Sequence, residues 1–340
     1  MASEFDDEHD ELSSVGDEED DAINDIVAHV VDQFLMEFSR RLGIPHPEDM
    51  PLPPFPEAKI PETEEDYRRY VWQFIEQNLQ AYYQPGDPYV EELVKNAAAR
   101  TKNLTQKYEL EPEVTPKLAL MALYDFAILC DNSTSMKRGR GIRIQALEDT
   151  CQNVAEIGCC IQEQGVYLRF LNTPENETFT KLTSEGIRTK MNTVKYSGLT
   201  RLGTVLSSKI VKPLILDKLE SDQLEKPLIT IIITDGDLKP QGEDASCLEE
   251  IVLGCKRRLD EHSGGSAGAV FLISRVGNDP GAETFLSNLM MNKNLEETLY
   301  CCPDQLDERR EVFRKAGKDR QYSSYLIKLF KDALESQTDM

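Results

Sequence analysis

Apolar positions follow two rhythms along this chain. From Ile23 to Leu42, the residues Ile23, Ile26, Val27, Val30, Val31, Phe34, Leu35, Phe38 and Leu42 recur every three or four positions. That spacing predicts an amphipathic helix, which Gly43 is placed to end. A second stripe, Tyr67, Tyr70, Val71, Phe74, Ile75, Leu79 and Tyr82, follows Thr63, whose hydroxyl can cap a helix together with Asp66 three residues on. Pro85-Gly86 stops it. Asp87 and Pro88 then read as cap and first position of a third helix, with Val90, Leu93, Val94 and Ala97 inward. Seven prolines fall between Pro45 and Pro61, so PLPPFP runs extended, as a stiff linker or a strap.

After Pro116 the pattern becomes short β-rich runs alternating with longer amphipathic segments, which predicts a mostly parallel sheet flanked by helices. The strands fall at 124–130, 165–171, 178–182, 228–234, 269–276 and 298–302. Helical patterns cover 142–164, 202–216, 246–262, 282–291 and 322–336. The expected fold class is α/β, a doubly wound, mostly parallel six-stranded sheet of Rossmann-like type, preceded by a small helical N-terminal region. The expected organisation is an acidic tail at 1–22, a helix at 23–43, a proline-rich linker at 44–62, a helical pair at 63–106 and an α/β domain at 118–336.

Charge alters the picture at the N-terminus. Residues 1–22 contain eleven Asp or Glu and no Lys or Arg, so this tail supplies almost half of the chain's net charge of −23. It cannot bury enough apolar surface to order itself. With 61 acidic against 38 basic residues, the whole chain repels phosphate backbones, which argues against nucleic-acid binding. The longest nearly apolar run, Leu118–Cys130, is 13 residues long and contains Asp125, whereas a membrane span needs about 20. The first residues lack the basic and apolar regions of a secretory signal, so a cytoplasmic location is expected. The eight cysteines show no CxxC spacing and are expected as thiols, mostly buried. The four histidines, 9, 29, 46 and 262, form no recognisable catalytic grouping with Ser or Cys.

The residues that carry chemistry lie where strands end. The first strand runs into Asp131-Asn132-Ser133-Thr134-Ser135, and the fourth into Thr234-Asp235-Gly236. Ligands of doubly wound sheets bind at this carboxyl edge, where strand order reverses. An aspartate and two alternate serines on one turn can aim three oxygens at a point, and a second aspartate nearly neutralises a divalent ion there. Thr200, in Ser197-Gly198-Leu199-Thr200 before a helix, offers a third hydroxyl, with Gly198 allowing a close approach. Hard oxygen ligands select Mg2+, or the similar Mn2+. Taken piece by piece, Asp131 and Ser133 could instead form an Asx-type turn capping the next helix, and Asp235-Gly236 a plain turn.

The set Asp131-x-Ser133-x-Ser135, Thr200 and Asp235 resembles, in order and context, the metal-ion-dependent adhesion site of the von Willebrand factor type A domain. The resemblance covers roughly residues 118–335. Phe170-Leu171-Asn172, Gly198-Leu199-Thr200, Thr234-Asp235-Gly236 and Val276-Gly277-Asn278-Asp279 with Ala282-x-x-Phe285-Leu286 look like the intracellular type A domain proteins common in fungi. The resemblance implies that Ser133, Ser135 and Thr200 touch the metal while Asp131 and Asp235 act directly or through water. It also implies that an Asp or Glu of a partner protein completes the shell.

The function expected is therefore a non-catalytic, Mg2+-dependent protein-binding module whose metal accepts an acidic side chain. A metal-dependent phosphohydrolase is the first alternative, since such enzymes also place an aspartate after the first strand. Here Ser133 stands where a second aspartate would act as general acid, and hydroxyls are poor proton carriers near pH 7. A scaffold with a structural metal, binding partners through its N-terminal helices, is the second. The basic run Lys137-Arg138-Gly139-Arg140-Gly141-Ile142-Arg143 reads as a solvated loop or as a rim drawing an acidic ligand to the metal. The acidic tail could then compete with that ligand in cis, so that deleting residues 1–22 tightens carboxylate binding.

Overall fold

The computed structural model describes residues 55–338, except 57–58, 140, 162–164, 175–178, 237–242, 245 and 264, all within one compact unit that begins at Pro54. The acidic tail and the helix expected at 23–43 lie outside the described residues, as does most of the proline-rich linker.

Helix α1 (Glu64–Asn78) starts at a capping box: Thr63 Oγ1 accepts the Asp66 amide, and the Asp66 carboxylate accepts the Thr63 amide. Helix α2 (Pro88–Tyr108) starts at Asp87, whose carboxylate accepts the amides of Tyr89 and Val90 at 2.8 and 3.1 Å. A short α3 (Lys117–Met121) leads into the sheet.

The α/β part runs β1 (Asp125–Cys130), α4 (Ile142–Ile161), β2 (Val166–Phe170), β3 (Phe179–Leu182), α5 (Ser184–Met191) and α6 (Leu202–Leu206). Helix α6 continues through a π-helical stretch, Ser207–Leu216, into α7 (Asp217–Glu220). Pro213 lies in the π-helical stretch, where its missing N–H removes one helical hydrogen bond. There follow β4 (Leu228–Thr234), α8 (Cys247–Ser263), β5 (Ala269–Arg275), α9 (Pro280–Met291), β6 (Tyr300–Gln305), α10 (Leu306–Lys315) and α11 (Asp319–Glu335).

The six strands form one sheet in the order β3-β2-β1-β4-β5-β6, parallel throughout except for the antiparallel pair β2/β3. The fold is therefore α/β and Rossmann-like. Strand order reverses between β1 and β4, which pair in register from Asp125 opposite Leu228 to Cys130 opposite Ile233.

Both faces of the sheet are covered, so the central strands carry mostly apolar residues on both faces rather than alternating. Phe126, Ile128 and Cys130 of β1 and Ile229, Ile231 and Ile233 of β4 pack on one face under α1 to α4 and α11. Ala127, Leu129, Ile232, Phe271 and Ile273 pack on the other, under α6, the π-helical stretch, α8 and α9. The helical pair expected at 63–106 shares the first of these cores: Tyr67, Val71, Val94 and Leu104 belong to the same buried cluster as Phe126 and Phe330.

Helices α5 and α10 were not expected from the sequence, nor was the short α3. Helix α10 buries only Leu306, and α5 only Ile187 and Met191, so neither carries the apolar stripe that announces a helix. The last strand runs three residues past the expected end, through Pro303 to Gln305. Proline at an edge strand costs the sheet no central hydrogen bond. All eight cysteines are free thiols. Among the described residues, no helix is long and apolar enough to cross a membrane.

Candidate metal centre

The register of β1 against β4 builds the site. The Asp131 amide donates to the Ile233 carbonyl at 2.9 Å, extending the ladder one residue past β1 and setting the Asp131 side chain beside Thr234 and Asp235. Both aspartates are fully buried, Ser133 is nearly so, and Ser135 and Thr200 are half-buried. The hydroxyls of Ser135 and Thr200 thus mark the solvent side of a pair of buried carboxylates.

The oxygens touch one another in a chain. Ser133 Oγ lies 2.8 Å from Ser135 Oγ, which donates to Asp235 Oδ1 at 3.0 Å. Thr200 Oγ1 stands 3.5 Å from Asp131 Oδ2. The structure brings all five residues expected from the sequence to one edge. The Asx-type turn is also present, since the Ser133 amide donates to Asp131 Oδ1 at 2.8 Å. The turn and the oxygen cluster are the same object: the turn is what points Asp131 and the serines the same way.

Burial, together with the nearby charge of Asp235, pushes the Asp131 carboxyl up to about 6. Hydrogen bonds from the Thr234 hydroxyl, at 2.7 Å, and from Ser133 partly offset this. Thr234 Oγ1 in turn accepts the Gly236 amide at 2.9 Å, so one hydroxyl holds both the buried carboxylate and the turn that carries Asp235.

Three loops are knitted by residues without an assigned role in the sequence reading. Buried Asn132 accepts the Asn172 amide at 2.8 Å through Oδ1 and donates through Nδ2 to the Lys195 carbonyl at 3.0 Å. Its own carbonyl accepts the Ser197 amide at 2.8 Å. Asn172 donates to the Leu199 carbonyl at 3.0 Å, one residue before Thr200. Gly198 passes so close to Asn172 that a Cβ there would stand 2.3 Å from Oδ1, and its φ of +93° is one that side-chain-bearing residues rarely adopt. The close approach expected of Gly198 is thus made to Asn172. The Lys209 ammonium closes the end of β2 by donating to the carbonyls of Phe170 and Thr173 at 2.6 and 2.5 Å. Glu243 accepts the amides of Gly203 and Thr204, both at 2.8 Å, and so caps α6 just beyond Thr200.

Arg143 departs from both readings of the basic run, the solvated loop and the rim. Lys137 and Arg138 are exposed, and Arg138 faces Asp279 at 3.5 Å, but Arg143 turns inward from the start of α4 and is 7% exposed. Its Nη1 donates to Asp235 Oδ2 at 2.9 Å.

The donor set fits a hard divalent cation. Oxygens of an octahedral Mg2+ shell at about 2.1 Å lie about 3 Å from their neighbours, and the chain from Ser133 through Ser135 to Asp235 already has that spacing. Two buried carboxylates against the single guanidinium of Arg143 also leave a negative charge that attracts a cation. Among the described residues no three His, Cys, Asp or Glu side chains converge; this set instead combines two carboxylates with three hydroxyls. The chain matches no family model and no curated protein sequence.

Proposed function

We propose that this chain is a non-catalytic, Mg2+- or Mn2+-dependent protein-binding module of the von Willebrand factor type A kind, whose metal accepts an Asp or Glu side chain from a partner protein. One observation carries the reading: hydroxyls and carboxylates from three loops distant in sequence meet at the switch point of a doubly wound sheet. Ser133, Ser135 and Thr200 would hold the ion, with Asp131 and Asp235 acting directly or through water. The ion would supply an electrophilic position for an anionic oxygen. Buried Asp131 and Asp235 would offset part of its charge, Asn132 and Asn172 keep the Thr200 loop in place, and exposed Leu199 follows Gly198 just before Thr200.

The direct test is titration of the full chain with Mn2+ by calorimetry, for wild type and Asp131→Ala, followed by partner capture with and without chelator. Heat from wild type that Asp131→Ala abolishes, with capture lost on chelation, supports the reading. Capture indifferent to both chelator and Asp131→Ala removes it. Asp131-dependent turnover of a phosphate ester with Mg2+ would replace it by a phosphohydrolase.

A further inference from the structure

Of the buried charged side chains in the described residues, Asp131, Asp235 and Arg143 meet at this edge, whereas Asp66, Arg169 and Lys256 lie elsewhere on the chain. Arg143 is not held there by surface chance. Its guanidinium lies against Gly277, where a Cβ would stand 2.2 Å from Nε and 2.6 Å from Cζ. Gly277 itself has φ +80°, and its amide is fixed by Asp307 Oδ1 at 2.8 Å. The fold therefore reserves a slot for the guanidinium beside Asp235. Asp235 is shared, with Oδ1 accepting from Ser135 and Oδ2 from Arg143.

The three buried charges at this edge then have a simple sum. Two carboxylates and one guanidinium leave one negative charge, and a bound divalent ion turns that into one positive charge. Without Arg143 the loaded site would be neutral, and its electrostatic preference for an anion over water would be weaker. We infer that Arg143 determines the ligand class of this site: by cancelling one of its two carboxylates, it weakens the grip on the metal and makes the loaded metal select an anionic carboxylate.

This inference rests on the metal-binding reading above and deepens it. It predicts changes of opposite sign, which a merely structural role for Arg143 would not produce. The probes are Mn2+ alone, measured by calorimetry, and acetate, measured by the fall in water-proton relaxation of protein-bound Mn2+ as carboxylate displaces water. In the full chain, Arg143→Gln should bind Mn2+ about tenfold more tightly and acetate at least fivefold more weakly. Arg143→Lys keeps the charge and should stay within about threefold of wild type for both. Arg143→Met, which fills similar volume without demanding hydrogen bonds, should repeat the Gln result.

Mn2+ affinity unchanged or weakened in both neutral variants, or acetate affinity unchanged, overturns the inference while leaving metal binding in place. Failure of both neutral variants to fold, with Arg143→Lys folded, assigns the guanidinium to the fold and also overturns it. A wild-type chain that takes up no Mn2+ overturns the metal-binding reading itself, a result recognisable before any variant is made.

Discussion

Lys256 on α8 offers a measurement in which the magnitude follows from burial. The residue is 3% exposed, and its buried ammonium finds no hydrogen-bond acceptor among the described residues. Burial pulls its titration down from 10.5 to about 8, against the smaller opposing effects of Cys255 and Asp260. A drop of that size corresponds to about 3 kcal/mol of unfavourable ionisation in the folded state. Below pH 8 both folded and unfolded chains carry the proton, so the full penalty applies. Between pH 8 and 10.5 the unfolded chain still binds a proton that the folded chain has released, so stability rises with pH through that window. Lys256→Met removes the charge and keeps a flexible apolar stem that suits a helix.

The variant should therefore be more stable than wild type by about 3 kcal/mol at pH 7, and this advantage should shrink towards zero as pH approaches 10.5. Urea denaturation of both proteins at pH 7, 8, 9 and 10 measures it, and the difference between the two cancels titrations elsewhere in the chain. A difference that stays constant across the series would show that the ammonium is solvated and would refute the reasoning.

Three further outcomes follow from the site. Gly198→Ala places a side chain at φ +93° and into Asn172, and should cost about 1–3 kcal/mol in urea denaturation while weakening Mn2+ binding through the Thr200 loop; an Ala variant as stable as wild type would mean that the loop has another conformation. Thr234→Val withdraws the hydroxyl from buried Asp131 and from the Gly236 amide, and should lose about 1–3 kcal/mol at neutral pH, with a Val variant equal to wild type excluding that network. Asn132→Ala cuts the ties from the β1 loop to Asn172 and Lys195, for a loss of about 2 kcal/mol and a Mn2+ affinity at least tenfold lower, whereas unchanged affinity would show that the Thr200 loop holds itself.

Much of the architecture was legible in the amino-acid order because local rules and tertiary structure agree there. Thr63 with Asp66, and Asp87 with Pro88, announce their helices through hydrogen bonds made within three residues. Leu228–Thr234 reads as a strand covered on both faces because every position in it is buried. The oxygen donors were legible for a related reason: Asp131, Ser133 and Ser135 share one turn, and Asp235 follows directly on a strand whose end the apolar run marks.

What only the folded chain decided are relations between residues far apart in sequence. Arg143 belongs to a run that looks like a solvated basic loop, and its inward turn becomes visible only when Gly277 and Asp235 are set beside it. Lys256 occupies an ordinary charged position on a helix until the packing around α8 excludes water from it. Asn132, Asn172, Lys209 and Glu243 acquire roles because the sheet brings three loops within hydrogen-bond reach. Periodicity and capping are encoded over a few residues of one segment, so the sequence by itself determined most of the elements and singled out the candidate oxygen cluster. Desolvation and charge pairing depend on distances that packing alone sets, so the tertiary structure decided which charges balance which.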